Sequence, residues 1–274
     1  MKINYKDIDF EKMWQHSMKS KEGYAKERAF NDGVEREFWK ELSKRYDSKP
    51  SLYDYSKEVY QFIENLIEPK SSLIEIGPGT GKFTLPLSNK CSRVTGVDFS
   101  WDMLQVLKEK ARDLNIDNIA TIEGKWEEIE VSKADYILSV NSLYRIWDIK
   151  TALVKMNNLA NKKVIIVRTI QKPLFNDLYM NLGLKDKTSL DYIYMPNILH
   201  SLDICADVKY IDVQHEEIFE GEDSIYKRIK NDIGGFEDNE IINDFIKINF
   251  KRNDEKFIFD HKTKVEIISW DIKK

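Results

Sequence analysis

With 274 residues the chain has room for one large domain or two small ones, and folding would hide about 75% of its surface, enough for a core without disulfide or metal staples. Hydrophobic residues at 42%, charged residues at 33% and aromatic residues at 12% describe a soluble globular chain. A net charge of −4 gives no bulk attraction to nucleic-acid phosphates or to anionic lipid.

Cys91 and Cys205 lie far apart and in no metal-ligand spacing, which argues against a disulfide framework. The charged start MKINYKDIDFEKMW is unlike a secretory leader, and no apolar run nears the roughly 18 residues that span a bilayer. The expected location is cytoplasmic, without a membrane partner.

Residues 1–50 are charged, aromatic and helix-prone. In ERAFNDGVEREFWKELSKRY, Val34, Phe38, Leu42 and Tyr46 recur at i+4 and form one apolar stripe, which predicts an amphipathic helix. A turn at DSKPS leads to a second such helix, LYDYSKEVYQFIENLI, stopped by Pro69.

From residue 71 short apolar strands alternate with helices. SLIEIG, RVTGVDFS, NIATIEG, ADYILSVNS and KKVIIVRTI are the strand candidates. Ser100 is placed to cap WDMLQVLKEKARDLN, with Asp102 in its first turn and Met103, Leu104, Leu107, Ala111 and Leu114 on one face. DIKTALVKMNNLA is the helix between the fourth and fifth strands. The alternation predicts an α/β fold, a parallel sheet with helices on both faces.

The last hundred residues are less regular. PLFNDLYMNLG and YMPNILHSLDICA read as helices, VKYIDVQHEEIFE as a strand, DSIYKRIKNDIGG and EDNEIINDFIKINF as inserted helices, and FIFDHKTKVEIISWDIK as the final strand.

The stretch SSLIEIGPGTGKFTLPLS, residues 71–88, carries the chemistry. A phosphate-binding P-loop would need glycine at position 76 and a hydroxyl at position 83, where the chain has Ile76 and Phe83. Lys82 then reads as a solvated helix residue. The dinucleotide spacing GxGxxG fits less well, because Gly77, Gly79 and Gly81 put the third glycine one residue early and some seventy residues precede the strand, but it leaves NAD as an alternative. S-adenosylmethionine is the third candidate. Glu75 precedes the glycines on the strand, and Asp98 ends the next strand, where a carboxylate can accept hydrogen bonds from both hydroxyls of a ribose. A single acidic residue at a strand end is most often a cap; here the glycine triplet, Glu75 and Asp98 coincide in one βαβ setting.

These residues resemble the class I S-adenosylmethionine-dependent methyltransferases. LIEIGPGTGKFT is similar to the first motif of that family, VTGVDFSWDML to the second, IATIEGKWEEI to the adenine-binding third region and ADYILSVNSLY to the fourth. The resemblance spans roughly residues 55–170. It implies a Rossmann-like, seven-stranded, mostly parallel sheet with an N-terminal helical cap and C-terminal helical insertions. Residues 1–54 would be the cap and 55–274 the cofactor-binding domain, with 173–200 and 221–256 as lid or substrate wall.

The resemblance also implies site roles. Gly77, Pro78, Gly79 and Gly81 would approach the methionine part of the cofactor, Glu75 its ammonium, and Asp98 its ribose, while Phe99 and Met103 flank the adenine. Where the family often has an acidic residue after Gly124, this chain has Lys125 and Trp126, so the 125–126 backbone and the Trp126 ring are expected there. Tyr46 and Tyr53 are the cap aromatics expected nearest the cofactor. Asn141 and Tyr144, just after the fourth strand, are the candidate catalytic residues. Asn141-Ser142-Leu143-Tyr144 keeps the ends of the Asn/Asp-Pro-Pro-Tyr/Phe sequence of planar-amine methyltransferases and lacks both prolines, which points away from an adenine or amide acceptor. His16 could be a base in the cap, although a lone histidine is more often structural.

The expected activity is methyl transfer from S-adenosyl-L-methionine to a small molecule, leaving S-adenosyl-L-homocysteine, with no metal and no nucleic acid. Two rivals stand beside it. EIGPGTGKFT also resembles the loop of ribosomal RNA adenine dimethyltransferases, and a non-catalytic protein could retain the cofactor site as a binding module.

Overall fold

The computed structural model of the chain describes residues 8–47, 57–170, 173–184, 188–233 and 239–273. Five strands run parallel: β1 (Ser72–Ile76), β2 (Arg93–Asp98), β3 (Ile119–Glu123), β4 (Ala134–Val140) and β5 (Ala160–Thr169). Two long strands, β6 (Asp207–Glu220) and β8 (Lys256–Asp271), join antiparallel and give the order β3-β2-β1-β4-β5-β8-β6. The expected seven-stranded, mostly parallel sheet is therefore present. A short β7 (Phe250–Asn253), which starts at the last residue of the segment 237–250 read from sequence as helix, pairs with β8 off this path.

The central strands are apolar at nearly every position because helices cover both faces. Side chains alternate between them. Ile74, Ile76, Ile137, Val164 and Ile166 face one core, joined by Trp14 and Met18 of α1 (Phe10–Lys19), by α7 (Ile149–Leu159) and by α9 (Asp191–Ser201). Leu73, Tyr136, Leu138, Ile165 and Val167 face the other, closed by Val59 and Ile63 of α4 (Lys57–Leu66) and Leu87 of α5 (Thr84–Ser88). Against β2 and β3 lies α6 (Trp101–Asp113), with Met103, Leu104, Leu107 and Ala111 buried and Ser100 Oγ capping Met103 N at 3.3 Å.

The N-terminal stripe behaves differently from its sequence reading. One helix is expected through residues 27–46; the chain instead forms α2 (Gly23–Phe30) and α3 (Asp32–Ser43), with Tyr46 in a turn beyond. Asn31 makes the break. Its extended backbone (φ −118°, ψ 110°) ends α2, and its Oδ1 accepts from Gly33 N at 3.0 Å and Val34 N at 3.2 Å, which starts α3.

The long strands also carry an appendage. β5 pairs with β8 only from Val265 to Asp271, whereas β6 and β8 remain paired as far as Glu220 and Lys256. The free half of that hairpin supports α8 (Asn176–Asn181), α10 (Glu222–Ile233) and α11 (Asn239–Asn249) around a third core. Phe175 is its hub, with ring centroids of Phe219, Phe245, Phe250 and Phe259 at 5.3–6.1 Å. Burying such a ring contributes roughly 1.5–3 kcal/mol, so the appendage has its own reason to fold. Residues 173–200, expected as one insertion, divide: α8 joins this third core and α9 packs on α1. No helix among the described residues is long and apolar enough to cross a membrane.

Candidate active site

The loop after β1 is built by three residues in the left-handed region, Gly77 (φ 69°), Gly79 (φ 55°) and Gly81 (φ 92°). Gly77 serves packing: a Cβ there would lie 2.3 Å from Ser142 Cβ, so the β1 and β4 loops touch only because it has none. Gly79 serves access, since a Cβ there would meet nothing within 4 Å and its backbone faces open space. Pro78 packs on Gly96 of β2, and Gly81 N donates to Pro78 O at 2.9 Å to close the turn.

Two carboxylates flank this loop. Glu75 is buried, 1% exposed, and Thr84 Oγ1 donates to its Oε2 at 2.5 Å. Burial pushes its carboxyl up to about 7, outweighing the Thr84 hydrogen bond, and the negative charge of Asp98 adds to the rise. Asp98 accepts from Gly79 N at 3.0 Å through Oδ2 and from Ser100 N at 2.8 Å through Oδ1, and burial pushes it up to about 6. Neither has a lysine or arginine partner among the described residues. Enclosed, uncompensated carboxylates beside an open glycine backbone fit a group that bears its own positive charge.

Glu75 carries a pH prediction. Its folded value, about 7, lies above the ordinary 4.5, so its contribution to stability is complete below pH 4.5 and is lost as pH rises through 7. Through this group the protein should lose about 1 kcal/mol between pH 6 and 8. Glu75→Gln, uncharged throughout, should not show that loss. Urea midpoints at the two pH values check this; equal slopes for the two proteins would refute it.

The cap lies across the far side of the groove. Arg36 Nη1 of α3 donates to Phe99 O at 2.7 Å and to Glu123 Oε1 at 2.9 Å, with its guanidinium 4.0 Å from the Phe99 ring. Asp32 accepts from Arg145 Nη2 at 2.8 Å and pairs with Lys125. Asp47 accepts from Thr80 Oγ1 at 3.1 Å and from Lys110 Nζ at 2.5 Å. At the centre is Glu35, wholly buried. It accepts from Arg28 Nε at 2.7 Å, Trp39 Nε1 at 2.8 Å and Tyr144 Oη at 2.5 Å.

The fold brings most of the expected residues together around this groove. Gly124 N donates to Asp98 O at 2.9 Å, which draws the third region to the second. Phe99 lies under Arg36, Met103 is buried at the start of α6, and Tyr46 is ring-to-ring with Trp39 at 6.1 Å, one residue before Asp47. Trp126 points away, into the core against α7, with Nε1 donating to Ala152 O at 3.3 Å. Tyr53 lies outside the described residues. Asn141 (φ 51°) ties the ends of β4 and β5: its Oδ1 accepts from Thr169 N at 2.8 Å and its Nδ2 donates to Thr169 Oγ1 at 3.0 Å. Among the described residues no group of three metal-ligating side chains forms.

Next to the loop is a cavity of about 390 Å³, floored by the ends of β4 and β5 and roofed by α1, residues 20–21 and residues 188–194. Asn141, Ser142, Tyr144 and His16 line it, and among the described residues none of 221–256 reaches it. The roof comes from two of the segments expected around the site, the cap (1–54) and 173–200; Glu35 and Arg28 are not among the residues the sequence reading singles out, and the one local signal is Asn31-Asp32-Gly33, a helix start that resets the face of α3.

Residues 67–198 match a family described as Methyltransferase domain. A demethylmenaquinone methyltransferase of Oceanobacillus iheyensis is 25% identical over 141 residues, covering 47% of this chain and 59% of that protein. A Pyrobaculum islandicum protein named "Probable ribosomal RNA small subunit methyltransferase A" is 35% identical over 131 residues, covering 48% of this chain and 51% of that protein. The chain thus spans only part of the length of these relatives. In three dimensions, the precorrin-6y C5,15-methyltransferase of Geobacter metallireducens superposes with a TM-score of 0.51 at 10% identity, over 82% of this chain and 95% of that one, a likeness of fold.

Proposed function

Through residues 67–198 the chain belongs to the class I S-adenosylmethionine-dependent methyltransferase family, and from that premise we propose that it methylates a small molecule held in the cavity beside the glycine loop. The carrying observation is the pair of enclosed carboxylates, Glu75 and Asp98, on either side of a loop whose middle glycine faces open space. S-adenosylmethionine supplies a methyl group already activated by a sulfonium. Glu75 is suited to its ammonium, Asp98 to its ribose hydroxyls, and Phe99 with the 124–126 backbone to its adenine.

What remains for the protein is to align acceptor and methyl and to exclude water, and alignment alone is worth up to about 7–11 kcal/mol in favourable cases. Ser142 belongs to both halves: it lines the cavity, and its Oγ donates to Ile76 O, at the start of the glycine loop, at 2.5 Å. Tyr144 presents a phenol kept protonated by burial and by the Glu35 charge. Its one proton is donated to Glu35, so it serves as a wall of the cavity rather than as a base. Asn141 holds the strand ends that form the floor. The cavity is of the size that takes small ligands, and the demethylmenaquinone methyltransferase relative is in keeping with such an acceptor.

Calorimetric titration with S-adenosylmethionine and S-adenosylhomocysteine, with NADH as control, tests the cofactor. Binding of the sulfur ligands and not of NADH is expected; no binding to folded, ligand-free protein would defeat the reading. The Pyrobaculum relative favours a second reading, methylation of RNA. That one requires RNA affinity that falls steeply with salt, which filter binding to a structured RNA at 50 and 200 mM salt would detect.

A further inference from the structure

The turn after β4 reaches both the cavity and the Phe99 ring. Ile146 N donates to Leu143 O at 3.1 Å, which puts Tyr144 and Arg145 at the two corners of the turn. Tyr144 lines the cavity; Arg145 does not, and carries its guanidinium to 5.1 Å from the Phe99 ring. We propose that Arg145 binds the cofactor there, its Nε–H donating to a ring nitrogen of the adenine; this rests on the methyltransferase reading above.

The guanidinium is held in place with one donor left over. Its Nη2 donates to Asp32 Oδ1 at 2.8 Å, and the side chain is only 15% exposed. Its Nε is buried and has no acceptor among the described residues. A buried N–H without an acceptor is rare in a folded protein, because it gives up water and gains nothing in return. An adenine against Phe99 supplies the missing acceptor, since N1, N3 and N7 each present a lone pair in the plane of the base. The other guanidinium on this ring is already engaged: Arg36, 4.0 Å from Phe99, has its Nη1 on Phe99 O and Glu123 Oε1.

The surrounding charges suit a donor in this place. After Gly124, where the resemblance leads one to expect an acidic residue, the chain has Lys125, and its ammonium is paired with Asp32 and Glu128. Asp32, the first residue of α3, thus ties Lys125 and Arg145 together and fixes the direction of the planar guanidinium fork. Recognition of the base moves in this chain from an acceptor for its amine to a donor for its ring.

Calorimetry with S-adenosylhomocysteine and its 1-deaza, 3-deaza and 7-deaza adenine analogues tests this, because each analogue replaces one ring nitrogen by C–H. At least one analogue should bind the parent protein tenfold or more weakly than S-adenosylhomocysteine. Arg145→Lys keeps a cation for Asp32 and removes the Nε–H. It should weaken S-adenosylhomocysteine by about tenfold and bring that analogue within threefold of it. Arg145→Met, which cannot donate at all, should do the same, with circular dichroism to verify folding of both. The analogue whose loss depends on Arg145 identifies the nitrogen. All three analogues within threefold of S-adenosylhomocysteine in the parent, a result that needs no variant, overturns the proposal, as does a loss equally large in the parent and both variants. Failure of the parent to bind S-adenosylhomocysteine itself would instead defeat the methyltransferase reading, and this proposal with it.

Discussion

Replacing Asp98 with alanine should weaken S-adenosylmethionine binding by about 100-fold. Two effects add. The carboxylate is the proposed acceptor for the ribose hydroxyls, and hydrogen bonds to a charged group are worth about 1.5–3 kcal/mol. It also sets the loop, since its two oxygens hold Gly79 N and Ser100 N, so its loss frees the backbone that the ligand must meet. Asp98→Asn keeps one acceptor oxygen and should fall between the two, near tenfold. Calorimetry on the three proteins reads the series, with circular dichroism to verify folding. An alanine variant that is folded and binds within twofold of the parent would show that Asp98 does not contact the ligand.

Glu35→Ala should be the most destabilising single change in the cap, at about 3–5 kcal/mol, because it strips the partner from a half-buried arginine and leaves donors of Trp39 and Tyr144 without their acceptor. Burial alone would raise the Glu35 carboxyl. The hydrogen bonds from Arg28, Tyr144 and Trp39 outweigh burial and hold it below the usual glutamate range. Its contribution is therefore present above pH 4.5 and is lost as pH falls through the lowered folded value. The denaturation midpoint in urea at pH 7 measures the cost, and Glu35→Gln should cost less by keeping one acceptor. A Glu35→Ala midpoint equal to that of the parent would mean that the cap is not anchored at this residue.

Much of this was legible in the sequence, for identifiable reasons. The glycine triplet, Glu75 and Asp98 announce themselves because each answers to backbone geometry at the end of a strand, and β1, β4 and β5 follow from runs too apolar for one-sided burial. Glu35 was hidden. The i+4 stripe of Val34, Phe38, Leu42 and Tyr46 names a buried face, yet the residue wholly buried on α3 is the charged neighbour of Val34. Its burial is possible only because Tyr144, 109 residues away, and Arg28, across the Asn31 break, converge on it. Periodicity within one helix carries no trace of either. The segments that roof the cavity were legible as cap and lid, but which of their residues line it was not, since α1 and residues 188–194 meet only after the sheet has formed.

The ties between cap and groove are of two kinds, and dissolved salt separates them. Arg36–Glu123, Asp32–Lys125 and Asp47–Lys110 lie at the water boundary, with side chains 31–45% exposed, so mobile ions weaken them within a Debye length of about 8 Å at physiological ionic strength. The Glu35 carboxylate is wholly buried and its Arg28 partner only 23% exposed, so mobile ions screen that pair much less. Raising salt should therefore slacken the rim of the cap while its pivot holds, so that ligand exchange speeds up and the cap stays docked.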